Sequence, residues 1–138
     1  MPLMPKRVKY RKQQRGKRRG IATKGAELVF GEFGLKSLGN GWLSNIHIEA
    51  VRVLVARELQ GGGKFWIRIF PHKSVTKKPA ETRQGKGKGD LSHWVAVVKR
   101  GTVLFELGGI PVELAKIIFR LTAFKLPLRT KFITRRHI

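Results

Sequence analysis

The side chains best placed to do chemistry are 30 lysines and arginines, set against eight aspartates and glutamates, for a formal charge of +22. They come in runs. Lys6, Arg7, Lys9, Arg11, Lys12, Arg15, Lys17, Arg18 and Arg19 crowd the start of the sequence, with Tyr10 among them. Lys73, Lys77, Lys78, Arg83, Lys86 and Lys88 form a second cluster in PHKSVTKKPAETRQGKGKGD, where the acids are Glu81 and Asp90. So much like charge opposes the compact state until a polyanion neutralises it, and the chemistry on offer is the binding of phosphates. Gly85, Gly87 and Gly89 lack a Cβ and let the backbone approach a partner closely. Tyr10 and the arginines around it suit stacking on bases.

Other chemistries find little material. His47, His72, His93 and His137 show no HExxH spacing, cysteine is absent, and Asp90 is the one aspartate. A zinc site would lack thiolates, and triads or two-carboxylate centres would lack acids. Gly85-Lys-Gly-Lys-Gly89 has neither the GxxxxGK[ST] nor the GxGxxG spacing, and Gly63-Lys64-Phe65 puts phenylalanine where a phosphate loop needs a hydroxyl. The sequence therefore predicts no catalytic residue, no metal site, no cofactor, no small-molecule substrate and no enzyme. Trp42, Trp66 and Trp94 read as core aromatics, with base stacking by Trp66, next to Arg68, as the alternative.

These groups need a scaffold. A protein of 138 residues with 41% hydrophobic content is enough for one domain, which at this size buries about 70% of its unfolded surface. Charge divides it. Residues 1–24 hold ten basic residues and no acid, residues 25–63 are nearly neutral, and basic excess returns in 64–100 and again in 101–138. The division predicted is a basic extension over 1–24 and a body over 25–138 with a basic loop at 71–90. Fully extended, the first 24 residues would reach roughly 80 Å, and the loop would carry its tip roughly 30 Å from the body. No apolar run approaches a membrane span and no secretory signal is present, so a mature soluble protein of the cytoplasm or an organelle interior is expected.

In the body, residues 27–33 read as a first strand, followed by a glycine turn through Gly34, Gly39 and Gly41. Ser44 is an N-cap for a helix over 45–60, with Ile48, Val51, Val55 and Leu59 as its buried stripe and Gly61, Gly62 and Gly63 as its stop. Residues 64–70 alternate as a strand, with Phe65, Ile67 and Ile69 on one face and Trp66, Arg68 and Phe70 on the other. Two more strands, 94–99 and 102–107, meet at a turn through Arg100 and Gly101. Pro111 opens a helix running to about Lys125, and 128–135 is a last strand.

Several stretches resemble the bacterial and organellar L-sixteen family of large-subunit ribosomal proteins almost end to end. They are PKRVKYRKQQRGKRRG, FGEFGLKSL, IEAVRVLVARELQGGGKFWIRIFPHKSVTKKPAETRQGKGKGD and KLPLRTKF. The string from Lys64 to Gly89 is the most specific, and Gln84 departs from the methionine usual there. The resemblance implies an α+β fold: one hammerhead-like domain with two helices packed on a mostly antiparallel sheet. It implies a structural constituent of a cytoplasmic bacterial ribosome, or of an organellar one, near the aminoacyl-tRNA site and the peptidyl-transferase region. Its partners would be large-subunit rRNA, tRNA and neighbouring ribosomal proteins, with no membrane. On rRNA would lie Lys6, Arg7, Lys9, Tyr10, Arg11, Lys12, Arg15, Lys17, Arg18 and Arg19, together with Lys131 and Arg135. Facing tRNA would be Lys77, Lys78, Arg83, Lys86 and Lys88, and Arg83 matches an arginine hydroxylated in some relatives. A non-ribosomal architectural nucleic-acid binder shares the charge, whereas a cationic membrane-surface protein would need an amphipathic basic helix that the tail does not make.

Overall fold

The computed structural model describes residues 4–6, 20–22, 24–77 and 90–135. Through them run β1 (Phe33–Ser37), β2 (Gly41–Ser44), α1 (Asn45–Leu59), β3 (Lys64–Ile67), β4 (Lys73–Lys77), β5 (Asp90–Val98), β6 (Val103–Gly108), α2 (Val112–Ala123) and β7 (Thr130–Thr134). The class is α+β with two helices, as the sequence predicts. No helix among the described residues is long and apolar enough to cross a membrane.

The first helix forms where its capping residues place it. Ser44 Oγ accepts the His47 backbone N–H at 3.2 Å, and His47 Nδ1 accepts the Ser44 N–H at 3.2 Å, so two orphan amides are satisfied reciprocally. Ile48, Val51 and Val55 are fully buried at the predicted spacing, and Leu59 packs half-buried at the edge of the core. Gln60 then turns left-handed at φ 50° and Gly61 follows at φ 85°, which stops the helix. The second helix starts at Val112, one residue later than predicted, with Pro111 as its N-cap, and ends at Ala123 rather than near Lys125. It buries Ala115, Ile118, Phe119 and Thr122, and the Thr122 hydroxyl donates to the Ile118 carbonyl at 2.9 Å.

The strands make two antiparallel sheets where one was expected, in the orders β3-β6-β1-β7 and β2-β5-β4. The separation is made at the turn through Arg100 and Gly101. Gly101 N–H donates to the Ser37 carbonyl at 2.8 Å, Ser37 N–H to Thr102, and Val103 N–H to Gly25. With this backbone bonded to Ser37, Ala22 and Gly25, β6 pairs with β1 and does not fold back on β5. Leu35 and Phe105 of one sheet, Ala96 and Val98 of the other, and Val51, Ile118 and Phe119 of the helices share a single core. A large apolar residue in such a core contributes about 1.5–3 kcal/mol by leaving water.

Four further expectations need correction. Residues 27–32 are not a strand: β1 starts at Phe33, and Gly34 lies inside it, paired with Glu106 and Ile133, instead of in a turn. The strand expected over 64–70 ends at Ile67, although Phe65, Ile67 and Ile69 do share a face, and that face packs on the core. The stretch 71–90 is not loop throughout, because Lys73–Lys77 is β4 and pairs antiparallel with β5 up to Lys77 opposite Asp90. The last strand is shorter than expected, Thr130–Thr134.

Candidate nucleic-acid interface

Strand pairing sorts the four-stranded sheet into two faces. Phe33, Leu35, Phe65, Ile67, Phe105, Leu107 and Phe132 belong to the core. Gly34, Lys36, Trp66, Glu106, Lys131 and Ile133 alternate with them on the outer face. The segment 27–31 is laid across that outer face by a carboxylate. Glu106 has no exposed surface, and its Oε1 accepts the backbone N–H groups of Val29, Phe30 and Gly31, each at 3.0 Å. Its Oε2 meets the Arg68 guanidinium, which also donates to the Glu27 carbonyl at 3.0 Å. Three successive N–H groups converging on one oxygen form a nest, a geometry that an extended strand cannot supply. Hence 27–32 is no strand.

Burial alone would push the Glu106 carboxyl up. The hydrogen bonds from Gly31, Arg68, Phe30 and Val29 outweigh it and hold the group below the ordinary carboxylate range. Close approach depends on Gly31, where a Cβ would stand 2.5 Å from the Leu107 carbonyl oxygen. Glu32 N–H completes the docking on that same carbonyl at 3.0 Å.

Upstream, Ala22 N–H donates to the Arg100 carbonyl at 2.9 Å and Ile21 bridges Arg100. The described residues after the basic run are therefore tied to the body at Ile21, Ala22, Gly25 and 29–32, beside exposed Lys99 and Arg100. Between described side chains two ion pairs form, Arg68 with Glu106 and Arg52 with Glu49. Lys24, Lys64, Lys99, Arg100, Lys116, Arg120, Lys125, Arg129, Lys131 and Arg135 are all exposed. Lys36 and Lys131 stand directly opposite on β1 and β7, a like-charge cross-strand pair that destabilises the bare protein and favours an anion above it.

Of the residues predicted to bind nucleic acid, Lys6, Lys131 and Arg135 are exposed, and Arg135 also donates to the Val29 carbonyl at 2.9 Å. Lys77 ends β4. Arg7, Lys9, Tyr10, Arg11, Lys12, Arg15, Lys17, Arg18, Arg19, Lys78, Arg83, Lys86 and Lys88 lie outside the described residues. Sequence reasoning missed Lys36, which alternation puts on the outer face once β1 starts at Phe33, and Lys64, which the predicted 64–70 alternation already set on the Trp66 face. It also missed Lys116 and Arg120, one helical turn apart on the exposed side of α2. Trp94 is core, as expected, while Trp42 and Trp66 are only half-buried.

A protein-family profile described as "Ribosomal protein L16p/L10e" matches residues 5–133. The protein belongs to the ribosomal protein L16p/L10e family. Among its relatives, the large ribosomal subunit protein uL16 of Methylacidiphilum infernorum (isolate V4) is 56% identical over 138 residues, spanning 100% of the present sequence and 96% of that protein. Membership in this family makes the protein an RNA-binding component of the large ribosomal subunit, with translation as its setting. It also agrees with the family resemblance carried by the sequence motifs.

Proposed function

We infer that the protein is a structural constituent of the large ribosomal subunit that holds rRNA with its tail and outer sheet face and extends the 78–89 stretch toward tRNA. The observation that supports this is the exposed cationic surface beside residues 21, 22 and 29–32, which hydrogen-bond to the body where the basic tail joins it. Lys6 to Arg19 neutralise rRNA phosphates, and Lys36, Lys131 and Arg135 extend the same contact across the sheet. Phosphate contacts of this kind position a protein without reading sequence, and the shape of folded RNA supplies the specificity.

The antiparallel pairing of β4 and β5 supports the tRNA part of the reading. The β4–β5 pairing sets Lys77 opposite Asp90, where the stretch carrying Lys78, Arg83, Lys86 and Lys88 leaves and rejoins the body, and the charge of these residues acts near the aminoacyl site. No bond is made or broken by the protein in this scheme, whose α+β body is the hammerhead-like platform. The ribosome concerned is a cytoplasmic bacterial one or an organellar one, and Arg83 is the candidate for hydroxylation. In ribosomes carrying Arg83→Ala, aminoacyl-tRNA accommodation measured by rapid kinetics is expected to slow while subunit stoichiometry stays normal. Unchanged accommodation and translation would contradict the tRNA-facing role.

A further inference from the structure

At the β3 edge of the four-stranded sheet a cleft of about 520 Å³ opens between the end of β6, the 30–32 segment and Arg135. That volume falls in the roughly 300–1,000 Å³ range of small-ligand sites. One wall is aromatic. Phe30 and Trp66 stack with centroids 6.0 Å apart and planes 18° apart, an offset pair. Three features hold the pair in place. The indole lies against Gly108, where a Cβ would stand 3.2 and 3.3 Å from Trp66 Cζ3 and Cη2. The Phe30 N–H is fixed on Glu106, and the Arg68 guanidinium carbon stands 5.5 Å from the Phe30 ring centroid.

Phe30 is nevertheless 56% exposed. A large ring mounted this firmly and left in water contributes little to the core. What it offers is a flat apolar face, which any base can cover. The rim is cationic: Lys64 and Arg135 both line the cleft and are exposed. Arg135 spends one N–H on the Val29 carbonyl and keeps other donors of its guanidinium fork for a second partner. The acid in the lining is Glu32, also exposed. A carboxylate repels phosphate but accepts hydrogen bonds from an exocyclic amino group, as in its pairing with cytosine N4.

We propose that this cleft takes one unpaired RNA nucleotide, its base stacked on Phe30, its phosphate between Lys64 and Arg135, and its amino group on Glu32. The assignment rests on the RNA-binding reading above and adds the pocket, the single-stranded state, and a preference for amino-bearing bases over uracil.

The test uses the full-length protein and fluorescent RNA hexamers, oligo(C) and oligo(U), by anisotropy at fixed salt, with an RNA duplex as reference. Phe30→Leu is expected to weaken binding of both hexamers about tenfold and to leave duplex binding unchanged. Glu32→Ala is expected to remove the preference for oligo(C) over oligo(U) with little change for oligo(U). Phe30→Tyr keeps a stacking ring and should bind as the parent does, which separates loss of stacking from loss of fold. Hexamer binding by Phe30→Leu as tight as the parent's would overturn the proposal. Displacement of the hexamer by equimolar cytidine monophosphate would also overturn it, by making the cleft a mononucleotide pocket. If the parent protein binds no structured RNA, the ribosomal reading fails with it. If it binds the duplex and Phe30→Leu changes nothing, the cleft alone fails.

Discussion

Glu106→Ala is expected to cost about 3–5 kcal/mol of folding stability, because it leaves Arg68 unpaired and three amides without an acceptor. Against a total of roughly 5–15 kcal/mol for a domain, that is enough to populate the unfolded state visibly in a urea titration at neutral pH. Glu106→Gln keeps an acceptor for Val29, Phe30 and Gly31 but loses the charge opposite Arg68, so it should fall between the two. The pH dependence has a definite sign. The Glu106 carboxyl is held below its ordinary value in the folded protein, so its contribution is complete above the unfolded value of about 4.3 and is lost as pH falls through the lower folded value. The stability difference between parent and Glu106→Gln should be flat from neutral pH down to about 5 and shrink below that. A difference that grows on acidification would mean the carboxylate is not held by these donors. A loss below about 1 kcal/mol for the alanine variant, the scale of an ordinary net hydrogen bond, would mean that the nest does not anchor the 27–31 segment.

Deleting residues 1–20 removes nine basic side chains, and RNA affinity should fall by orders of magnitude. Each phosphate contact contributes about 0.7–0.9 to the slope of log K against log salt, so if all nine meet phosphates the slope drops by about 6–8. Filter binding to a large-subunit rRNA fragment between about 50 and 200 mM salt reads this directly. Because Ala22 and residues 29–32 keep their own bonds to Arg100, Glu106 and Leu107, the truncated body should melt as the full-length protein does. A slope change near zero would place the tail's cations in solvent and leave the sheet face as the interface.

Legibility followed the range of the forces. The first helix was readable because its determinants are local: Ser44, the spacing of Ile48, Val51 and Val55, and the glycines after Gln60. The 27–32 segment was not, since Val29 and Phe30 look like strand residues until a carboxylate 75 residues from Gly31 captures its amide. The same is true of the two sheets. Arg100-Gly101 reads locally as a hairpin turn, and only bonds to Ser37 and Gly25 send the next strand elsewhere. The hairpin stem of β4 was hidden by composition, because Lys73 and Lys77 belong to a stretch whose charge outweighs its alternation. At the interface, the clustered charges of the tail and of 73–88 were visible as counts. The Lys36 and Lys131 pair needed the β1–β7 register, and the Phe30 and Trp66 stack needed the nest.

On the proposed reading, phosphate contacts hold this protein on the large ribosomal subunit. Sedimentation of a native lysate through a sucrose gradient, with and without RNase and across a salt series, tests it most directly. The expected result is stoichiometric migration with the large subunit, with release by RNase and, at higher salt than a free RNA complex would need, by salt. Migration at the top of the gradient, or with DNA or membranes after RNase, would contradict it.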